Sequence, residues 1–114
     1  HVEKHLDKEF MSVEIATHAF DPPFVSSTKA YGFEVLQRTI KQVFPEAITA
    51  PSLMPATTDS RHFQGVTDQI YRFAPMDLGP DDYRSIHGIN ERIRKDNFVQ
   101  MIQVYYLLIK NAGN

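Results

Sequence analysis

The chain has 114 residues, 42% of them hydrophobic and 11% aromatic, which suits one ordinary domain with a modest core and is not a disordered composition. Twelve basic against fourteen acidic residues leave a formal net charge of −2, and no basic block is long enough to follow a phosphate backbone, so nucleic acid is not an expected partner. Cysteine is absent, which excludes disulfides and thiolate metal sites and leaves histidine and carboxylates as the metal donors.

Residues 1–9 mix charge with few apolar positions, too charged for a secretory signal, and read as a start in mid-element. From Phe10 the pattern turns to period two through Met11, Val13 and Ile15, which predicts a half-buried strand over residues 10–17. Asp21-Pro22-Pro23 then interrupts any regular element, because proline lacks an N–H and restricts the residue before it. Ser26, Ser27 and Thr28 offer capping oxygens. Phe33, Leu36, Ile40, Val43 and Phe44 recur at helical spacing after them, so an amphipathic helix is predicted over residues 28–44, ended by Pro45.

Ala47-Ile48-Thr49-Ala50 is short, apolar and β-branched enough for a buried strand, and Pro51 to Pro55 carries the chain out of it. Thr57-Thr58-Asp59-Ser60 can cap a short helix through His62 and Phe63. Residues 69–74 alternate Ile70 and Arg72 against Tyr71 and Phe73, predicting a second strand, and a Pro- and Gly-bearing loop follows with Asp81-Asp82 at a helix start. Arg92 to Lys95 reads as a solvated connection. A final helix capped by Asp96 or Asn97 places Phe98, Met101, Ile102, Tyr105, Leu108, Ile109 and Ala112 on one face, with Gly113 at its C-cap. No apolar run approaches the roughly 18 residues of a membrane span, so no membrane partner is expected.

His87 followed by Gly88, in a connection outside any periodic element, is the candidate metal ligand. A lone loop histidine is more often a surface residue or a satisfied hydrogen-bonder, and a zinc site needs three or four ligands. The motifs Thr58-Asp59-Ser60-Arg61-His62-Phe63, Ile70-Tyr71-Arg72-Phe73-Ala74-Pro75 and His87-Gly88-Ile89-Asn90-Glu91-Arg92-Ile93, in that order, resemble the C-terminal part of the zinc aminoacylase and carboxypeptidase family. The similarity is greatest to the carboxypeptidase S branch and its relatives that make or cleave N-acyl amino acids, and it runs over residues 13–113.

The resemblance implies an α/β fold: the C-terminal part of an exopeptidase catalytic domain, with short parallel strands at residues 47–50 and 70–74 covered by the two helices. Residues 1–19 would end an inserted lid or dimerisation domain, 20–27 would be the hinge, and 28–114 would be the C-terminal half of the catalytic domain. It also implies hydrolysis of an amide bond beside an amino acid, in a peptide or an N-acyl amino acid, by two zinc ions that clamp a hydroxide while a glutamate shuttles the proton. His87 would be a terminal zinc ligand, and Thr58 and Arg61 substrate contacts. Asn90 and Glu91 would orient the ligand loop. Asp59 would support the turn, with a local cap or a salt bridge to Arg61 as the alternative reading.

Ala56-Thr57 stands where the family commonly has glycines, which implies a narrower or differently shaped pocket. His5-Leu6-Asp7 matches a family pair of metal ligands by spacing, but lies among Glu3, Lys4, Lys8 and Glu9 instead of at an apolar strand end. The remaining ligands and the glutamate base are not in this sequence. It is therefore expected to be an inactive C-terminal fragment that pairs with the missing half or with a second copy. A noncatalytic α/β interaction module, with His87 structural, is the alternative.

Overall fold

Helix α1 (Tyr31–Val43) and helix α2 (Pro80–Ser85) precede the long helix α3 (Lys95–Ala112) in the computed structural model, which describes residues 2–7, 9–14, 16 and 21–113. Single 3₁₀ turns occupy Val2–His5 and Asp59–Phe63. No helix among the described residues is long and apolar enough to cross a membrane.

α1 begins three residues later than its apolar spacing predicts. The Ser27 hydroxyl, expected to cap the helix, instead accepts the Lys29 N–H at 3.1 Å, and the Ala30 N–H turns back to the Ser27 carbonyl. At the other end the Phe44 N–H bonds the Ile40 carbonyl at 2.7 Å, and Pro45 prevents another turn. α3 begins at Lys95 with Arg94 as its N-cap, which corrects the expected cap at Asp96 or Asn97. Asp96 sits in the first turn, where its charge suits the helix dipole. Asn97 is wholly buried, and its side-chain oxygen accepts the Asp77 N–H at 3.1 Å.

The core is the contact between α1 and α3. Val35, Leu36 and Ile40 of α1 and Val104 of α3 are its buried apolar residues. Thr39 is buried among them, its hydroxyl donating to the Val35 carbonyl at 2.8 Å and accepting from Asn111 Nδ2 at 2.9 Å. The same Asn111 amide reaches Gln42 at 2.9 Å.

The face of α3 that packs is turned away from the one its spacing predicts, sharing Met101 and Leu108 with it. Val104 is fully enclosed, with Met101, Leu107, Leu108 and Asn111 half-buried beside it. Phe98 and Ile102 are 55% exposed and Ile109 is 76% exposed. The helix carries apolar residues on more than one side, so periodicity identifies it as a helix without choosing which side meets α1.

The predicted α/β class with two parallel strands is also corrected, because no strand occurs among the described residues. Residues 47–50 and 70–74 both wall one open apolar trough of about 900 Å³ over α1. A short apolar segment becomes a strand only when a neighbour takes up its N–H and C=O groups. Here side chains do some of that: Ser26 Oγ accepts the Ile70 N–H at 2.9 Å, and the Tyr71 hydroxyl donates to the Ser27 carbonyl at 2.6 Å. Thr49 Oγ1 is buried with no hydrogen-bond partner. Of the predicted lid strand, residues 10–14 and 16 carry no strand, while Ile15 and Thr17 lie outside the described residues, as does Phe20 of the predicted hinge.

Gly32 is required for a close approach. Its N–H donates to Gln69 Oε1 at 2.8 Å, and an added Cβ would lie 3.1 Å from both that oxygen and the Tyr71 ring. The Tyr71 ring in turn tilts against Phe33 with centroids 5.6 Å apart.

The accessible surface is 9887 Å², against about 6,400 Å² expected for a folded monomer of this mass. The radius of gyration is 18.9 Å where about 13 Å is expected for this length. In the isolated 114-residue chain, Val104→Ala should lose about 2 kcal/mol of stability. Ile109→Ala should change it by less than about 0.5 kcal/mol. Urea unfolding midpoints measure both, and the reverse order would place the core on the face that spacing predicts.

Candidate functional site

Thr58 caps the Asp59–Phe63 turn as its sequence predicts, in extended backbone with its hydroxyl accepting the Ser60 N–H at 3.2 Å. The two hydroxyls of Thr58 and Ser60 are hydrogen-bonded to each other. Arg72, from the trough wall, reaches this turn: its Nε–H lies 2.8 Å from Ser60 Oγ and 3.2 Å from Thr58 Oγ1. Asp59 is exposed, and Arg61 is half-buried with its Nε donating to His62 Nε2 at 3.4 Å.

Sequence reasoning placed Ser60 in the cap of this turn, whose hydroxyls suit a carboxylate or an oxyanion, and gave Arg72 no role beyond the predicted strand. A signal was present, since Arg72 is the lone cation in the otherwise apolar run Ile70-Tyr71-Arg72-Phe73-Ala74, and a cation in such a run calls for a partner.

His87 lies in the loop after α2. Pro80 starts that helix at a position where its missing N–H costs nothing, and the Asp82 carboxylate accepts the Gly79 N–H at 3.2 Å, which bears out the acidic helix start. The chain then leaves α2 through Ile86 into two residues of left-handed backbone, His87 at φ 60° and Asn90 at φ 65°. Each costs about 1 kcal/mol for an L-residue, with histidine and asparagine among the side chains that tolerate it best. Gly88 is not left-handed. A Cβ there would lie 3.3 Å from the Ser85 carbonyl oxygen, a tight contact that a small shift of the loop would have to relieve, and the Gly88 N–H donates to that oxygen at 2.9 Å.

The His87 N–H donates to Glu91 Oε2 at 3.3 Å. An ion pair of 4.0 Å between Arg92 and Asp82, and one of 2.6 Å between Arg94 and Asp77, hold the rest of this connection to α2 and to the end of the trough. The His87 side chain is exposed, as are Asn90 and Glu91.

Among the described residues no three or more His, Cys, Asp or Glu side chains form a group able to hold a metal. One imidazole beside one exposed glutamate does not make a site by itself. Arg72 lines the trough, whereas Thr58, Arg61 and His87 do not. The Asp7 carboxylate of His5-Leu6-Asp7 accepts the Glu9 N–H at 3.1 Å, a local turn bond.

Burial raises the Tyr71 phenol above its ordinary value of 10.0, the Asp68 charge raises it further, and a backbone hydrogen bond at Phe33 acts the other way. Asp77, by hydrogen bond and charge, and Asp96 hold Arg94 still more firmly as a cation.

The sequence matches peptidase family M20/M25/M40 over residues 3–111, and the chain belongs to that family. Metal dependence is general in it. Among its relatives, the probable carboxypeptidase S-like 2 of Dictyostelium discoideum is 40% identical over 112 residues, covering 98% of this chain and 22% of the relative. The N-fatty-acyl-amino acid synthase/hydrolase PM20D1 of Homo sapiens is 43% identical over 97 residues, 82% of this chain and 19% of its own length. The probable carboxypeptidase S-like 1 of Dictyostelium discoideum is 38% identical over 93 residues, 80% of this chain and 19% of its own. The chain thus spans about a fifth of the length of the curated relatives it matches. No solved structure matches.

Tyr71 should leave a mark on alkaline stability. Its folded-state value is raised, so its contribution is complete below the ordinary value of 10.0 and is lost as pH rises through the raised one. Urea midpoints measured between pH 9 and 11 should fall less steeply in Tyr71→Phe than in the unsubstituted chain; identical slopes would contradict this.

Proposed function

We propose that the chain is the C-terminal portion of a hydrolase that cleaves an amide bond beside an amino acid, in a peptide or an N-acyl amino acid. The observation that carries this reading is the family match over residues 3–111, together with relatives named as carboxypeptidase S-like proteins and N-fatty-acyl-amino acid synthase/hydrolases. In this reading zinc is the metal of the parent enzyme, and His87 is the one imidazole these residues contribute to it. The other ligands and the general base belong to the rest of the parent. Thr58 and Arg61 lie on the substrate side, and Asp59, Asn90 and Glu91 support the turn and the loop.

The partner is the remainder of the same polypeptide. Accessible area about half as large again as a monomer of this mass should show, an apolar trough and the bare face of α3 all support association over a large surface. A second copy of the parent could meet it through the lid part of the chain, as the family resemblance implies.

The isolated 114 residues should show no hydrolysis of N-acyl amino acids with added zinc, and measurable turnover would refute the fragment reading. In the full-length, zinc-loaded enzyme His87→Gly should lower kcat by more than about 100-fold. Glycine adopts the left-handed backbone at 87 without strain, so the thermal stability of the metal-free protein should change little. A variant that keeps its activity would remove His87 from the metal centre.

A further inference from the structure

Among the described residues, Arg72 is the one cation that lines the apolar trough, and it is half-buried there. Its Nε–H is taken up by the hydroxyl turn, 2.8 Å from Ser60 Oγ and 3.2 Å from Thr58 Oγ1. Its terminal Nη1 and Nη2 groups have no hydrogen-bond or ion-pair partner among the described residues. The one acid on the trough wall, Asp77, is already held by Arg94 at 2.6 Å.

A half-buried guanidinium has given up part of its water, which favours an anion at its bare end. With Nε held, what is left is the fork of Nη1 and Nη2, whose planar geometry suits the two oxygens of a carboxylate. The hydroxyls beside it add a further donor. Of the two protons on Thr58 and Ser60 one lies between the oxygens, and in either order of donation the other meets no acceptor among the described residues. The cluster thus offers a positive charge and free donors, and none of the described acids closes it.

We infer that Arg72 binds the carboxylate of the substrate's amino-acid part, with Nε anchored on the Thr58–Ser60 pair so that the Nη fork is left for the substrate. This rests on the amide-hydrolase reading above. A peptide cut at its last residue and an N-acyl amino acid differ in what precedes the scissile amide, and share a free carboxylate on the residue that follows it. A seat for that group is the recognition both substrate classes require. Arg61 keeps its place on the substrate side without carrying the carboxylate.

The test uses the full-length, metal-loaded parent enzyme, with an N-acyl amino acid and its carboxamide as paired substrates. Arg72→Gln should raise KM for the acid by about tenfold or more, leave kcat within about twofold and hardly change the carboxamide, as expected for loss of a charge-assisted pair. Arg72→Lys, which keeps the charge but not the fork, should recover part of the loss. Arg61→Gln should act on acid and carboxamide alike, so the preference for the acid should survive it.

Calorimetric binding to the metal-free, full-length protein supplies a readout apart from turnover. The acid should bind about tenfold more tightly than the carboxamide, and Arg72→Gln should remove that difference. Equal losses on acid and carboxamide in Arg72→Gln, or an acid preference that Arg61→Gln removes and Arg72→Gln keeps, would overturn the inference. So would a lower unfolding temperature of substrate-free Arg72→Gln with KM unchanged, which would assign the fork to a carboxylate of the parent's own chain. A wild-type parent that binds the acid in preference to the carboxamide but hydrolyses neither would sink the hydrolase reading and leave the carboxylate seat standing. One that hydrolyses both without preference would sink the seat and leave that reading standing.

Discussion

The packing of α1 on α3 is the contact on which the other parts hang. It is small, and a polar bridge runs through it: Thr39 is buried, and its hydroxyl takes the Asn111 amide while satisfying the Val35 carbonyl. Both hydrogen-bonding capacities of that hydroxyl are used inside the protein, so burying it does not carry the penalty of an unmatched polar group. From the two helices outward, the loops are held by bonds that involve side chains. Gln69 ties the trough wall to Gly32, Ser26 and Ser27 tie it through Ile70 and Tyr71, and Asn97 ties its end at Asp77 to the start of α3. Such attachments have individual partners and no ladder to share the load. One substitution can therefore release a whole loop.

That construction explains which features were legible in the sequence. α1 and α3 were legible as helices because a helix satisfies its backbone within itself, and apolar spacing is enough to reveal it. The side of α3 that packs was legible only in part, through Met101 and Leu108. Val104 meets α1, while Phe98, Ile102 and Ile109 form an equally regular stripe that does not, and no local rule ranks the two. Strands at residues 47–50 and 70–74 were misread for the complementary reason: their composition suits a strand, but a strand is a relation between two segments, and no ladder joins these to a neighbour. Thr58 as a cap was readable because its partner, the Ser60 N–H, is two residues away. Arg72 was not, because the hydroxyls it holds lie outside any local spacing.

The His87 loop shows how family resemblance and physical structure contribute separately. Sequence similarity singles out the imidazole, whereas the backbone shows what it costs to present it: left-handed conformations at His87 and at Asn90, where glycine would be the unstrained choice. The strain is contained by specific bonds. Glu91 takes the His87 N–H, Ser85 takes the Gly88 N–H, and Arg92 reaches back to Asp82 at the start of α2. A histidine kept where glycine would cost less is consistent with a role for the ring, but the chain surrounds it with too few donors to define a metal site.

The same dependence extends to the hydroxyl turn. Arg72 belongs at once to the wall of the trough and to the Thr58–Ser60 network, so its guanidinium joins this open apolar trough to the pair of hydroxyls. A displacement of residues 70–77 would shift the Nε–H that both hydroxyls share. Hydrogen bonds weaken quickly with misalignment, and a proton shared between two acceptors has no reserve: a small displacement favours one oxygen over the other. Should it favour Ser60, the nearer of the two, the Thr58 lone pair it leaves becomes available and the hydroxyl pair can donate in either order. Covering the apolar surface and aiming the polar turn are thus one structural requirement, imposed through a single side chain.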